Sequence, residues 1–457
     1  GTGKTSTLVE FARARPNKNF IYLAFNRSVR DDAVRKFPKN VYCTTTHGLA
    51  YEYFGHPYKH KLGQPKSATI AKMFKCSYVI ADAANQTLNN FLCSADHNLD
   101  IEKHIAGGIL TELQAEKAFN VAKDVWKAMQ DKNNIYVKMP HDGYLKLFQM
   151  AEPIFENDYY MVDEAQDSNM LVIDIITKQK GKQLFIGDEN QSIYQFRKAV
   201  DALNHVNADQ KLYLTSSFRF GKGIAELATL LLQGWKNETK IVKGLGKHKS
   251  HFFVNETEPH TILARTNSGL FDAAVKALNS GSPFGYLGGY EGYRLDMILD
   301  AWNLKKYGPS KVIDPSILLF KSYQELEAYA ETVDDKELKM LIRTIEKYGS
   351  EIPTLIDNLK NKSLKQLTGN EIILSTAHKS KGLEFDSVIL LDDFADLKFE
   401  IDKNGKESGP SVEDINILYV AMTRAERNLK INEKTKEWLY DINKMSHLLN
   451  IDKKPSI

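Results

Sequence analysis

The sequence predicts an α/β protein: parallel sheets covered by helices, with two all-helical stretches set into the strand–helix rhythm. Short apolar runs of three to six residues recur along the 457-residue chain, each ending in polar or acidic residues. Helix-forming stretches separate them. Two long segments carry helix formers but few strand signals. Alternating strands and helices imply parallel sheets buried on both faces.

The predicted strands are Phe20–Phe25, Val41–Thr46, Tyr159–Val162, Leu184–Ile186, Leu212–Leu214, Thr261–Ala264, Ile372–Ser375 and Val388–Leu391. Each is short and rich in Ile, Val, Leu, Tyr or Phe, as a buried strand requires. Ser6–Arg15 and Val412–Glu426 read as helices. Residues 51–149 and 287–366 read as the helical insertions, the second mainly helices, as at Tyr323–Lys347. The polar segment Ile401–Pro410 reads as a turn-rich loop. At roughly 100–200 residues per domain the length suggests three or four units.

Composition excludes several classes. Lys and Arg number 61 against 58 Asp and Glu, a net charge of +3. A nucleic-acid binder with this balance works through a local basic groove and stacking side chains, not a global field. Three cysteines, Cys43, Cys76 and Cys93, make no disulfide framework and fit a reducing compartment. Together with His97 and His104, two of them show the spacing C-x16-C-x3-H-x6-H, which matches no zinc pattern. No apolar run approaches the ~18 residues of a membrane span, and no signal peptide is visible, so an intracellular protein without a membrane partner is expected.

The chain opens on Gly1-Thr2-Gly3-Lys4-Thr5-Ser6, the second half of the pattern G-x-x-x-x-G-K-[ST]. Glycine lets the backbone curl so that its N–H groups face a phosphate, and the following helix adds the positive end of its dipole. Lys4 then reaches the β- and γ-phosphates of ATP, and the Thr5 hydroxyl holds Mg²⁺. The plain alternative is a glycine-rich turn with a surface lysine. Because residue 1 already lies inside this pattern, the chain reads as truncated, with a feeding strand and an adenine-reading segment expected upstream.

A second element supports the first. The strand Tyr159–Val162 delivers Asp163-Glu164-Ala165-Gln166-Asp167 at its C-terminal end, where ligands bind in open α/β sheets. Mg²⁺ needs a carboxylate and an attacking water needs a base. Asp163 is the candidate metal ligand, through water, and Glu164 the general base. A third strand runs into Gly187-Asp188-Glu189-Asn190-Gln191, where Gln191 could contact the γ-phosphate or orient water. An acidic helix-capping loop and a polar turn are the bland readings of these two segments.

The fragments GTGKT, VDEAQD, GDENQSIYQF, SSFRF, STAHKSKGLEFD and LYVAMTRAERNL occur in this order. Together they resemble the ordered motifs of UvrD/Rep-type superfamily 1A DNA helicases, from residue 1 to about residue 432. HDGYLKLF at 141–148 and YLGGYEGY at 286–293 look like the F-box DNA helicase branch.

The resemblance implies two RecA-like P-loop motor domains, each with a helical insertion. Domain 1A takes residues 1–50 and 150–205, insertion 1B 51–149, domain 2A 206–286 and 367–457, and insertion 2B 287–366. It places Arg219 and Arg424 at the γ-phosphate across an interdomain cleft, Phe218 on the adenine, and Gly382 and Glu384 at phosphate and ribose. Relatives more often carry Tyr where Phe218 stands. Single strands are gripped by basic grooves and stacking rings. The matching DNA track is Phe25, Asn26, Arg27, Thr46, His47, Tyr194, Phe196, Arg197, His378 and Lys379, although for the rings core packing is the alternative. Relatives usually carry Trp where Phe196 stands.

The implied activity is Mg²⁺- and ATP-dependent 3′→5′ translocation on single-stranded DNA with unwinding of duplex junctions, in recombination or repair. The implied compartment is the nucleus in a eukaryote and the cytoplasm otherwise. Two rivals remain: a translocase that strips proteins from DNA with little unwinding, and an ATPase-dead fragment that only binds DNA.

Overall fold

The computed structural model describes residues 1–107, 110–194, 202–314, 316–332, 336–398, 400–401 and 407–442. The chain divides into two compact units, Gly3–Leu212 and Tyr213–Ile457, Gly1 and Thr2 being counted with the second.

In chain order the unit that begins at Gly3 contains α1 (Lys4–Arg13), β1 (Phe20–Ala24), α2 (Arg27–Lys36), β2 (Val41–Thr45) and α3 (Thr46–Ala50). A π-turn at Tyr51–Gly55 and a 3₁₀ stretch at His56–Lys61 lead into α4 (Ser67–Met73), α5 (Tyr78–Leu92), α6 (Ile101–His104), α7 (Glu112–Gln130) and α8 (His141–Met150). The chain then returns to β3 (Tyr159–Val162), α9 (Met170–Thr177), β4 (Lys182–Phe185) and α10 (Ala202–His205). The four strands form one parallel sheet in the order β2-β1-β3-β4.

All five residues of β1 are buried, and their alternation feeds two cores. Ile21 and Leu23 join Tyr160 and Val162 of β3 against the 51–149 helices, through Leu88, Phe91, Val125, Met129 and Phe148. Phe20, Tyr22 and Ala24 face the other way, onto Leu8 and Ala12 of α1 and Ala33 of α2. Helix starts follow side-chain capping: Asn26 caps α2, Thr45 α3, Ser77 α5 and Asn169 α9, while Thr111 and Gln114 form a capping box on α7.

The other unit contains β5 (Ser216–Ser217), α11 (Lys222–Lys236), β6 (Lys243–Gly244), β7 (Thr261–Ala264), α12 (Asn267–Ser280), β8 (Phe284–Tyr286) and α13 (Leu295–Tyr307). It continues through α14 (Tyr323–Thr332), α15 (Lys336–Tyr348), α16 (Ile352–Lys362), β9 (Ile372–Thr376), α17 (Ala377–Ser380) and β10 (Phe385–Leu390). It ends with β11 (Glu400–Ile401), β12 (Glu407–Ser408), α18 (Val412–Met422), β13 (Ala425–Lys430) and α19 (Glu433–Asp441). Its main sheet is parallel with order β13-β10-β7-β9-β8. Phe284, Tyr286 and Leu374 from that sheet share a core with α12, α13, α15 and α16.

Three expectations need correction. Leu212–Leu214 is not a buried strand: Leu212 is 90% exposed, and the run has no strand partner among the described residues. The predicted helix Val412–Glu426 stops at Met422, where the chain turns into β13; the Thr423 hydroxyl at the turn bonds back to the carbonyls of Tyr419 and Val420. Arg424 therefore sits on a turn, not a helix. Ile401–Pro410 is not all loop: Ile401 lies in β11 and Glu407–Ser408 form β12, which pair antiparallel, while residues 402–406 lie outside the described residues.

Candidate active site

The phosphate-loop lysine and the acidic strand end meet, although about 160 residues separate them. Gly3 sits at φ +82 at the head of α1, with nothing within 4 Å of where a Cβ would stand. A side chain there would be strained by the backbone and would fill the space before the helix. α1 has no capping side chain and no acidic residue in its first turn, so its positive end is not offset locally. Lys4 Nζ lies 3.2 and 3.3 Å from the two carboxylate oxygens of Glu164. The Thr5 hydroxyl donates to Asp163 Oδ2 at 2.9 Å.

The acids are held from behind. Tyr22, buried on β1, donates its hydroxyl to Asp163 Oδ2 at 2.6 Å. Gln166 is wholly buried and donates to Glu164 Oε2 at 2.7 Å, while its carbonyl oxygen accepts from Asp188 N at 2.9 Å. Gln166 thereby links the second and third predicted segments, and within the third Gln191 donates to Asp188 Oδ2 at 2.7 Å. Glu164 is in the left-handed region at φ +50, a conformation that costs a non-glycine residue about 1 kcal/mol or more and must be held by its surroundings.

Burial, then the neighbouring Glu164, push the Asp163 carboxyl above the usual range, against the pull of Tyr22, Lys4 and Thr5. Burial alone would push the Lys4 ammonium down, but Glu164, Asp188 and Asp163 outweigh it and hold it above its ordinary value. The Thr5 hydroxyl beside the Asp163 carboxylate is an oxygen pair of the kind Mg²⁺ accepts, and Lys4 is the cation a terminal phosphate would meet. The residues present therefore fit ATP–Mg²⁺. Ser6 is exposed on the first turn of α1.

A second cluster gathers the predicted arginines. Arg219 Nε donates to Glu384 Oε1 at 2.7 Å and its Nη1 to the Thr423 carbonyl at 2.8 Å. Arg424, 1% exposed, donates to the carbonyls of Val420 at 2.9 Å and Leu383 at 3.2 Å and to the Thr423 hydroxyl at 3.2 Å. Gly382 takes φ +86, which lets the chain turn between α17 and β10. Burial raises Glu384, but the Arg219 guanidinium more than offsets it and holds the carboxyl below its ordinary range. The ring of Phe218 is 63% exposed.

The proposed track residues fare differently. Phe25 and Tyr194 stack on each other, with centroids 5.4 Å apart and planes 18° from parallel. Asn26 is occupied as the cap of α2, its Oδ1 accepting from Val29 N at 2.9 Å, and Arg27 is exposed beside it. Thr46 is buried at the start of α3, and the half-exposed His47 meets Asp142. Phe196 and Arg197 lie outside the described residues. Lys379 Nζ rests 3.6 Å from the centroid of the Tyr293 ring, beside Gly292, where a Cβ would come within 2.2 Å of the same nitrogen. Burial lowers the Lys379 ammonium, with Glu291 acting the other way. His378 is half-buried on α17 beside it.

Sequence reasoning missed Tyr22, Gln166, Asp188 and Asp142. The last three stand inside segments already singled out. Tyr22 reads only as one more apolar residue of a buried strand, and nothing in its neighbours marks its hydroxyl.

Residues 133–436 match the UvrD-like helicase C-terminal domain family. The chain is 34% identical to F-box DNA helicase 1 of Gallus gallus over 95% of its own length and 46% of that protein's. It is 32% identical to F-box DNA helicase protein 1 of Schizosaccharomyces pombe, again over 95% of the chain and 54% of the relative. A shorter stretch, 28% of the chain, is 32% identical to the ATP-dependent DNA helicase srs2 of the same yeast, covering 14% of it. The chain spans about half the length of the two F-box relatives it matches. With phosphate-loop, acidic and arginine motifs in one order on two parallel sheets, this chain belongs to the UvrD-like helicases.

Proposed function

We propose that this chain is the motor of an ATP- and Mg²⁺-dependent DNA helicase. It moves 3′→5′ on single-stranded DNA and unwinds duplex at junctions, in recombination or repair inside the cell. The observation that carries the reading is the convergence of Lys4, Thr5, Asp163 and Glu164 into one hydrogen-bonded cluster. Such a set has little use except to hold a phosphate and a divalent cation beside a base.

Bound ATP–Mg²⁺ would supply the phosphoryl group and the free energy of its hydrolysis. The protein's own residues do the rest. Lys4 releases Glu164 and turns to phosphate; Thr5 and Asp163 take the cation side. Glu164, kept in place by Gln166, accepts a proton from water. Gln191, tied to Asp188, reports on that same edge. Arg219 and Arg424 supply positive charge for the transferring group, Phe218 a face for the base, and Gly382 and Glu384 contacts to phosphate and ribose. Phe25, Arg27, Thr46, His47, Tyr194, Phe196, Arg197, His378 and Lys379 form the strand track, with Asn26 shaping it as a cap. The partition into 1A (1–50, 150–205), 1B (51–149), 2A (206–286, 367–457) and 2B (287–366) belongs to the same reading.

ATP turnover measured with and without a single-stranded oligonucleotide, beside displacement of a labelled strand from a tailed duplex, tests this. Stimulated turnover and displacement are expected, both lost in Lys4→Ala. If the strand leaves turnover unchanged, the reading fails.

A further inference from the structure

His47 and Asp142 are 95 residues apart in sequence, yet His47 Nε2 lies 2.9 Å from Asp142 Oδ1. Each side chain opens a helix: His47 is the second residue of α3 and Asp142 the second of α8. Both are partly exposed, at 40% and 31%. Behind them the buried Tyr144 bonds through its hydroxyl to His141 Nδ1 at 2.8 Å. The His47 ring stands edge-on to His141 at 6.2 Å and to Tyr144 at 6.5 Å, and Tyr144 is braced by Tyr51 at 5.7 Å. On the π-turn, Glu52 is taken up by Tyr42 at 2.7 Å. The groups facing His47 are thus Asp142, His141 and Tyr144 from α8, with Tyr51 and Glu52 on the adjoining turn.

A carboxylate can only accept, so His47 Nε2 must carry a proton and Nδ1 is the ring's remaining polar position. A DNA backbone offers oxygen acceptors, above all phosphate. Nδ1 can donate to such an oxygen only in the imidazolium, which is most favourable with a counter-ion on its other nitrogen. Of the neighbours, Asp142 is the one that bonds the ring with a negative charge. Burial, then the adjacent His47, lower His141, with Asp142 acting the other way.

We propose that Asp142 is a positioning residue for strand binding: it fixes the His47 tautomer and serves as its counter-ion, so that His47 meets a DNA phosphate as an imidazolium. The inference rests on the reading above that His47 lies on the strand track.

The test is the salt dependence of binding of a fluorescent oligothymidylate by the full chain, in the wild type, His47→Gln, Asp142→Asn, Asp142→Ala and the His47→Gln/Asp142→Asn double variant. One phosphate contact contributes about 0.7 to the slope of log K against log salt on single strands. His47→Gln should lower the slope by about that amount, both Asp142 variants should do the same, and the double variant should lose no more than His47→Gln alone. The ¹⁵N spectrum of His47 should keep the Nε2–H tautomer in Asp142→Asn, which retains an acceptor, and lose it in Asp142→Ala. Equal thermal midpoints for wild type and Asp142→Asn exclude a folding defect. If His47→Gln lowers the slope and both Asp142 variants keep it, the positioning role is overturned while the track reading stands. A full slope in His47→Gln overturns both, by removing His47 from the track.

Discussion

At the scale of single residues, the lysine–carboxylate cluster proposed for phosphate and metal was legible because that chemistry dictates residue types. A lysine after glycines and an acid pair after a buried strand have few other uses together, and Lys4, Thr5, Asp163 and Glu164 do converge. What supports them was not legible. Tyr22 occupies an inward position of β1, where any large apolar side chain would satisfy the pattern; only the fold reveals that its hydroxyl ends on Asp163. Such an outer partner orients a ligand carboxylate and commonly changes metal affinity by 10–100-fold. Tyr22→Phe keeps the ring and removes the donor. It is expected to raise the Mg²⁺ concentration for half-maximal ATP turnover roughly 10-fold, with a stability loss of about 1 kcal/mol. A Mg²⁺ titration of turnover and a urea melt check both numbers, and an unshifted Mg²⁺ curve would reduce the hydroxyl to a packing detail.

At the scale of elements, strands buried along most of their length, such as β1, β3 and β7, read correctly, and so did the more exposed β2 and β4. Misreadings occurred where burial is one-sided or absent. β13 (Ala425–Lys430), at the edge of its sheet, buries only Ala425 and Leu429, four residues apart, so its run Ala-Glu-Arg-Asn-Leu-Lys looks as helical as what precedes it. β8 is three residues long, below what a periodicity can resolve. Leu212–Leu214 has strand composition without a partner, and composition alone does not pair a strand.

The helices of 51–149 carry their own concealed feature. Lys146 of α8 is fully buried, its Nζ bonded to the carbonyls of Ser94 at 3.1 Å and Asp96 and set 4.4 Å from the Phe91 ring. It ties α8 to the end of α5. Burial, only partly offset by Asp96 and Asp174, lowers its ammonium to about 8. The unfolded chain then binds more protons than the folded one between about pH 8 and the ordinary lysine value near 10.4. The cost of burying this charge is full below about pH 8 and fades as pH rises through that window, by at most about 3 kcal/mol. Lys146→Met should flatten the corresponding rise in stability between pH 7.5 and 9.5, as read from urea midpoints. The same slope in both proteins would mean that the lysine titrates normally.

At the scale of the whole molecule, the order of motifs foretold two parallel sheets, and each unit does have its own sheet and its own core. The predicted machinery is divided between them. Lys4, Thr5, Asp163 and Glu164 belong to one unit, and Arg219, Glu384 and Arg424 to the other. Strand-track candidates occur in both: Phe25, His47 and Tyr194 in the first, His378 and Lys379 in the second. Separate cores allow separate unfolding transitions. Ligands that bind only the folded form stabilise the unit whose residues hold them, by about 2.7 kcal/mol at a concentration 100 times Kd. The four tryptophans make the two transitions separable: Trp126, against Phe91, reports on the first unit, and Trp235, Trp302 and Trp438 on the second. A single-tryptophan version retaining Trp126 should melt at a higher temperature with ATP–Mg²⁺, and a version lacking only Trp126 should register an oligonucleotide as well, since Lys379 and His378 lie in the unit it reports. Lys4→Ala should abolish the ATP–Mg²⁺ shift at Trp126 and leave the oligonucleotide shift. If ATP–Mg²⁺ fails to move the Trp126 transition in the wild-type background, the lysine–carboxylate cluster is not where the nucleotide's binding energy is gathered.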